Sequence, residues 1–81
     1  MTNPTNEAIN TTVFNRCQRE AEGADYYQLF GELDKVFFEG LGGVEVDDML
    51  EDSLDDLIKA GRLVEVETGR KVTLYLYRVA E

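Results

Sequence analysis

Residues 44–61 read VEVDDMLEDSLDDLIKAG. Leu50, Leu54, Leu57 and Ile58 recur at the i, i+4, i+7, i+8 spacing of a single helical face. Gly61 is the residue type that commonly closes a helix. Asp47 or Asp48 can cap the start, with Glu51 completing a capping box from Asp48. A helix is therefore predicted over residues 48–60. Ser53 with Asp56 offers a rival start for a second helix, but the apolar spacing runs through Ser53 without a change of phase, which favours one helix. Ahead of it, the glycine break "LGG" is followed by Val44-Glu45-Val46, whose alternation predicts a short strand over 44–46.

Downstream, Arg62-Leu63-Val64-Glu65-Val66 and the run from Arg70 to Val79 alternate as strands, predicting a β-hairpin over residues 62–79. Placing Val64 and Val66 beside Val72 and Leu74 requires an odd loop. Glu67-Thr68-Gly69 fits, with Gly at the left-handed third position, and would set Glu65 opposite Lys71. Upstream, a helix is predicted over 5–21, with Asn3 as cap, Pro4 at the first helical position and Gly23 as left-handed terminator. Ile9, Val13, Cys17 and Ala21 form its apolar stripe. A second helix over 26–39 follows, with Asp25 and Gln28 as a capping box. Tyr26, Leu29, Phe30, Leu33, Val36 and Phe37 share its face, Tyr27 and Phe38 widen it, and Gly40 ends it. The expected fold is α+β: three helices plus a C-terminal hairpin, with a three-stranded sheet if residues 44–46 join it.

The segment from Asp47 to Val79, containing LIKAGRLVEVETGRKVTLYLYRV, resembles the end of a winged helix-turn-helix domain, where a recognition helix runs into a two-stranded wing. Two departures stand out. Only one helix fits between the short strand and the hairpin, and that helix is acidic.

Eighty-one residues form one small domain with little stability to spare. At 43% apolar the chain is too hydrophobic to be disordered despite its net charge of −9. The polar opening MTNPTNEAIN has no signal-peptide pattern, no apolar run approaches a membrane span, and Cys17 has no partner for an internal disulfide. A soluble, cytoplasmic protein is expected. Cys17 shares a face with Ile9 and Val13 and reads as a small buried hydrophobe.

Chemistry is sparse. The chain has no His, the commonest general base and metal ligand. It has no phosphate-binding glycine loop, nucleophile elbow or paired-Cys motif. Consecutive aspartates on a wet helix are the opposite of the desolvated carboxylate that acid–base catalysis needs. Residues 47–52 lack the alternation and the Gly of a calcium loop. No enzyme activity, cofactor or metal is expected.

The acids carry the remaining signal. Seven of the twelve residues from Glu45 to Asp56 are carboxylates: Glu45, Asp47, Asp48, Glu51, Asp52, Asp55 and Asp56. A salt-adapted surface would spread its acids, whereas here the other 69 residues share a charge of only −2. A solvated helix start explains Asp47, Asp48 and Glu51, because the helix dipole favours acids there by ~0.3–1 kcal/mol each. It does not explain Asp52, Asp55 and Asp56. Like-charge pairs Asp48–Asp52, Glu51–Asp55 and Asp52–Asp56 each cost ~0.2–0.5 kcal/mol, and Asp55–Lys59 returns one favourable pair. Twelve helical residues span ~18 Å, so the acids are spaced at roughly 2.6 Å of axis, between duplex DNA at ~1.7 Å and a single strand at ~3.4 Å. Such a helix is suited to a Lys/Arg-lined groove and unsuited to reading DNA directly.

Tyr75 and Tyr77 alternate with Leu74 and Leu76 and are expected on the outer face of the hairpin, as a second contact or a homodimer surface, unless the first helix covers them. By size, absence of chemistry, the acidic helix and the tyrosine hairpin, the chain resembles the class of small acidic inhibitors encoded by phages and other mobile elements, including anti-CRISPR proteins and DNA mimics. The resemblance implies stoichiometric blocking of a basic nucleic-acid-binding groove on a partner protein. Two other readings stand beside it. One is a winged-helix regulator that binds nucleic acid through Arg70, Lys71 and Arg78 beside Tyr75 and Tyr77. The other is a structural subunit whose acidic face only keeps it soluble.

Overall fold

The computed structural model describes residues 4–80, in which α1 (Asn6–Arg19), α2 (Tyr26–Phe38) and α3 (Val44–Lys59) precede β1 (Leu63–Glu67) and β2 (Tyr75–Val79). The fold is α+β, three helices and one antiparallel two-stranded hairpin.

Helix α1 is capped by Thr5, whose side chain accepts the Ala8 N–H at 3.1 Å; the expected cap, Asn3, lies outside the described residues. Ile9, Val13 and Cys17 are buried as the four-residue spacing required. The helix stops at Arg19, short of Ala21, which is exposed. Gly23 does not cap it. The glycine sits in the following turn at φ 105, where an added Cβ would lie 2.8 Å from the Tyr77 carbonyl oxygen. The next residue explains this close approach: Ala24 donates its N–H to the Tyr77 carbonyl at 2.9 Å and accepts the Tyr77 N–H at 2.8 Å. The α1–α2 turn is thereby stitched to the last strand.

The capping box of α2 forms as expected: Asp25 accepts the Gln28 N–H at 2.8 Å, and Gln28 accepts the Asp25 N–H at 3.1 Å. Leu29 and Leu33 are buried, with Tyr26, Phe30, Phe37 and Phe38 packed beside them, while Val36 is turned to solvent. Glu39 takes the left-handed cap conformation, one residue before Gly40.

The expected strand over residues 44–46 does not exist; those residues are the first turn of α3. Alternation and β-branching both favour a strand there, and the long apolar repeat overrides them. Val46 lies four residues before Leu50 and is buried at the head of the α3 core face, while Val44 is left 77% exposed. Gly42 makes this entry possible. An added Cβ would fall 2.2 Å from Val46 Cγ2 and 2.8 Å from the Phe38 ring, and its N–H is held by the Asp34 carboxylate at 2.8 Å. The helix then runs through Ser53 unbroken. Ser53 is buried inside it, with its hydroxyl 2.6 Å from the Asn10 side-chain oxygen on α1.

The hairpin register differs from expectation. Leu63 pairs with Val79, Glu65 with Tyr77 and Glu67 with Tyr75, so the connection covers residues 68–74. Thr68 organises that loop: its N–H bonds the Leu74 carbonyl at 2.9 Å, and its hydroxyl accepts the Arg70 N–H at 3.0 Å. The inward face therefore carries Leu63, Tyr77 and Val79. Val64 and Arg78 lie outward, and Val72 and Leu74 are exposed in the loop. Burying the large Tyr77 ring, with its backbone anchored on Ala24, overrides the valine pairing that the alternation suggested. Glu65 consequently faces Tyr77 and not Lys71. With no third strand in the described sheet, the winged-helix resemblance is not confirmed.

Candidate functional site

Helix α3 buries Val46, Leu50, Ser53, Leu54 and Leu57. At ~100° per residue, its seven carboxylates then spread over about half the circumference and do not form a narrow stripe. Asp52 and Asp56 border a cavity against α1, lined also by Asn6, Asn10 and Met49. On the opposite flank Glu51 and Asp55 border a groove against the hairpin. Asp48 lies on the exposed back of the helix and Glu45 is exposed in its first turn.

The seven carboxylates are not equivalent. Asp55 pairs with Lys59 at 2.8 Å, as the four-residue spacing required, and this hydrogen bond raises the Lys59 pKa. Asp47 is half-buried and accepts the Tyr26 hydroxyl. Burial first, then that bond, pushes the Tyr26 phenol above its ordinary value. The other five, Glu45, Asp48, Glu51, Asp52 and Asp56, are exposed and lie in no ion pair among the described residues. Three of the five arginines are engaged elsewhere: Arg16 and Arg19 bind Glu32, and Arg62 stacks 4.3 Å above the Phe14 ring.

Tyr75 and Tyr77 do not stand on an open outer face. Tyr77 is 9% exposed and Tyr75 41%, and both point to the helix side of the hairpin. There the chain's four tyrosines converge. Tyr26, Tyr27, Tyr75 and Tyr77 line one cleft of about 350 Å³ with Asp25, Val72, Thr73 and Leu74. Tyr26 and Tyr77 also form the wall of the neighbouring groove of about 260 Å³, completed by Leu54, Ile58, Glu51, Asp55 and Glu65. Sequence reasoning missed Tyr26, Tyr27 and Glu65 as members of this site, because their placement depends on the hairpin register. The same register breaks up the expected basic–aromatic strip, since Arg78 faces away from Tyr77.

Among the described residues, no three Cys, Asp or Glu side chains converge as a metal site. No helix among them is long and apolar enough to cross a membrane. Comparison with protein-family models, curated proteins and solved structures gives no match to this chain.

Proposed function

We propose that this protein is a non-enzymatic inhibitor or interaction protein that inserts the acidic face of α3 into a basic, nucleic-acid-binding groove of a partner protein, in the manner of a DNA mimic or anti-CRISPR protein. The supporting observation is the set of five exposed carboxylates that pair with no cation among the described residues. Left alone they repel one another and phosphate, so α3 is a poor reader of DNA and a good substitute for it. At ~100° per residue these five spread over roughly 140° of the helix, which suits a concave partner whose two walls can each meet carboxylates. A flat surface would reach only part of the set. Cations gathered around the acidic face of α3 would be released on binding, as those condensed on nucleic acid are when it enters such a groove.

The test is retention of proteins from a host extract on the immobilised chain, followed by elution with duplex DNA or with salt raised from about 50 to 500 mM. DNA-eluted capture that is lost in an Asp48→Asn/Asp52→Asn/Asp56→Asn variant is the expected result. A captured partner indifferent to DNA and to those substitutions would sink the reading.

A further inference from the structure

We infer that the groove between α3 and the hairpin, walled by Tyr26 and Tyr77 and rimmed by Glu51, Asp55 and Glu65, is the seat for an arginine side chain of the partner. The inference rests on the docking reading above for the partner's existence, and it names the group that enters and the place where it enters.

Three independent features converge on that ligand. The rim is wholly acidic, with carboxylates from two different elements on opposite sides and no Lys or Arg in the lining. The rest of the lining is apolar or aromatic, from Leu54, Ile58, Tyr26 and Tyr77, which matches the methylene stem that an arginine buries behind its charged head. The third feature is the Tyr77 hydroxyl. Tyr77 is nine-tenths buried, yet its hydroxyl makes no hydrogen bond among the described residues, in contrast to that of Tyr26. No fully enclosed side-chain oxygen or nitrogen is left unpartnered among the described residues. The hydroxyl is therefore reached by solvent, and of the two clefts that Tyr77 lines this groove is the one that holds Glu65 and Glu51, the carboxylates whose charges act on that phenol. Burial first, and then the Glu65 charge, keeps this phenol protonated well above neutral pH. It stays a neutral acceptor with a free lone pair and an aromatic face.

A planar group with five donors can reach separated acceptors on both sides of such a groove while lying against a tyrosine ring. A metal ion cannot, because it needs ligands that converge, and these do not. A lysine ammonium presents a compact, strongly hydrated charge with fewer donors, and fits the two-sided rim less well. Asp55 is shared with Lys59 in an exposed pair, so Glu51 and Glu65 are the acids free to receive the guanidinium.

The chain has no Trp, and two of its four tyrosines, Tyr26 and Tyr77, line this groove, so tyrosine fluorescence follows its occupancy, through Tyr26 alone in Tyr77→Phe. Hexa-arginine, hexa-lysine and hexa-citrulline peptides are titrated into the full chain and into Tyr77→Phe, Glu65→Gln and Asp52→Asn variants. Hexa-arginine is expected to bind severalfold more tightly than hexa-lysine, and hexa-citrulline not to bind. Tyr77→Phe is expected to weaken hexa-arginine by about tenfold, the size of a lost hydrogen bond to a charged group. Its unfolding midpoint should stay unchanged, since that hydroxyl has no partner among the described residues. Glu65→Gln should act in the same direction, and Asp52→Asn, on the far flank, by less than about twofold. Equal affinity for arginine and lysine peptides, or an unchanged affinity in Tyr77→Phe and Glu65→Gln, overturns the inference. If the triple aspartate variant still loses its DNA-eluted partner in that case, the docking reading survives without this groove. If it does not, both fall.

Discussion

The Tyr26 hydroxyl, at the first turn of α2, donates to the Asp47 carboxylate on α3. One member of the acidic set is thus a strut between two helices, not a free charge. Tyr26→Phe is expected to cost about 1–2 kcal/mol, near the lower part of the range for a bond to a charged group because Asp47 is only half-buried. Asp47→Asn should cost less when Tyr26→Phe is already present than in the native chain, by at least about 0.5 kcal/mol. Urea unfolding of the four proteins in the cycle measures this. Additive effects would mean that the contact contributes nothing to stability.

Asp52 makes the opposite case. It stands four residues after Asp48 and four before Asp56, is exposed, and pairs with no cation among the described residues. Asp52→Asn relieves both repulsions and is expected to stabilise the protein by about 0.4–1 kcal/mol at low salt. The gain should vanish near 1 M salt, where the screening length is ~3 Å. Stabilisation by neutralising a carboxylate would mean that this charge is carried at the expense of the fold. A loss of stability at low salt would show that Asp52 has a structural role which the geometry does not reveal.

The helices were legible because their signals are local. The Asp25–Gln28 box, the spacing from Leu50 to Leu57 and the Asp55–Lys59 pair each depend only on neighbours within one or two turns. The hairpin register was not, because it is decided by long-range contacts: Ala24 grips the Tyr77 backbone, and the Tyr77 ring enters the core. The strand expected at 44–46 failed for a related reason. Its propensity is real, but the apolar repeat that continues to Leu50 buries Val46 as a helical residue beside Gly42 and Phe38. The candidate site inherits this division. The acids of α3 could be named from the sequence, while the tyrosine-walled groove beside them appears only when Tyr26, Glu65 and Tyr77 are brought together.

Gly23 tests the contact that sets the register. Its φ of 105 disfavours any side chain, and an added Cβ would meet the Tyr77 carbonyl at 2.8 Å and the Arg78 Cβ at 3.3 Å. Gly23→Ala combines backbone strain with a steric push on β2 and is expected to cost about 2–4 kcal/mol. Gly31, where an added Cβ meets nothing within 4 Å, is the control: Gly31→Ala in the middle of α2 should stabilise by about 0.5–1 kcal/mol. Thermal unfolding of the two variants is expected to move in opposite directions. A tolerant Gly23→Ala would show that the Ala24–Tyr77 bridge is dispensable.

Cys17 gives the fold a dependence on alkaline pH. Burial pushes its thiol from 9.0 up to about 11, so the folded chain holds this proton longer than the unfolded chain does. Below pH 9 both states are protonated and the full stability is present. Between pH 9 and 11 the unfolded state ionises first, and stability falls with rising pH by up to roughly 2–3 kcal/mol. Tyr26 and Tyr77, also raised by burial, add loss of the same sign at higher pH. A Cys17→Ala variant isolates the thiol: its baseline should lie about 1 kcal/mol lower from the small void left behind, with a shallower fall across that window. The urea midpoints of the two proteins are therefore expected to converge between pH 9 and 11. Parallel curves would mean that the thiol gains water on the alkaline side before the fold gives way.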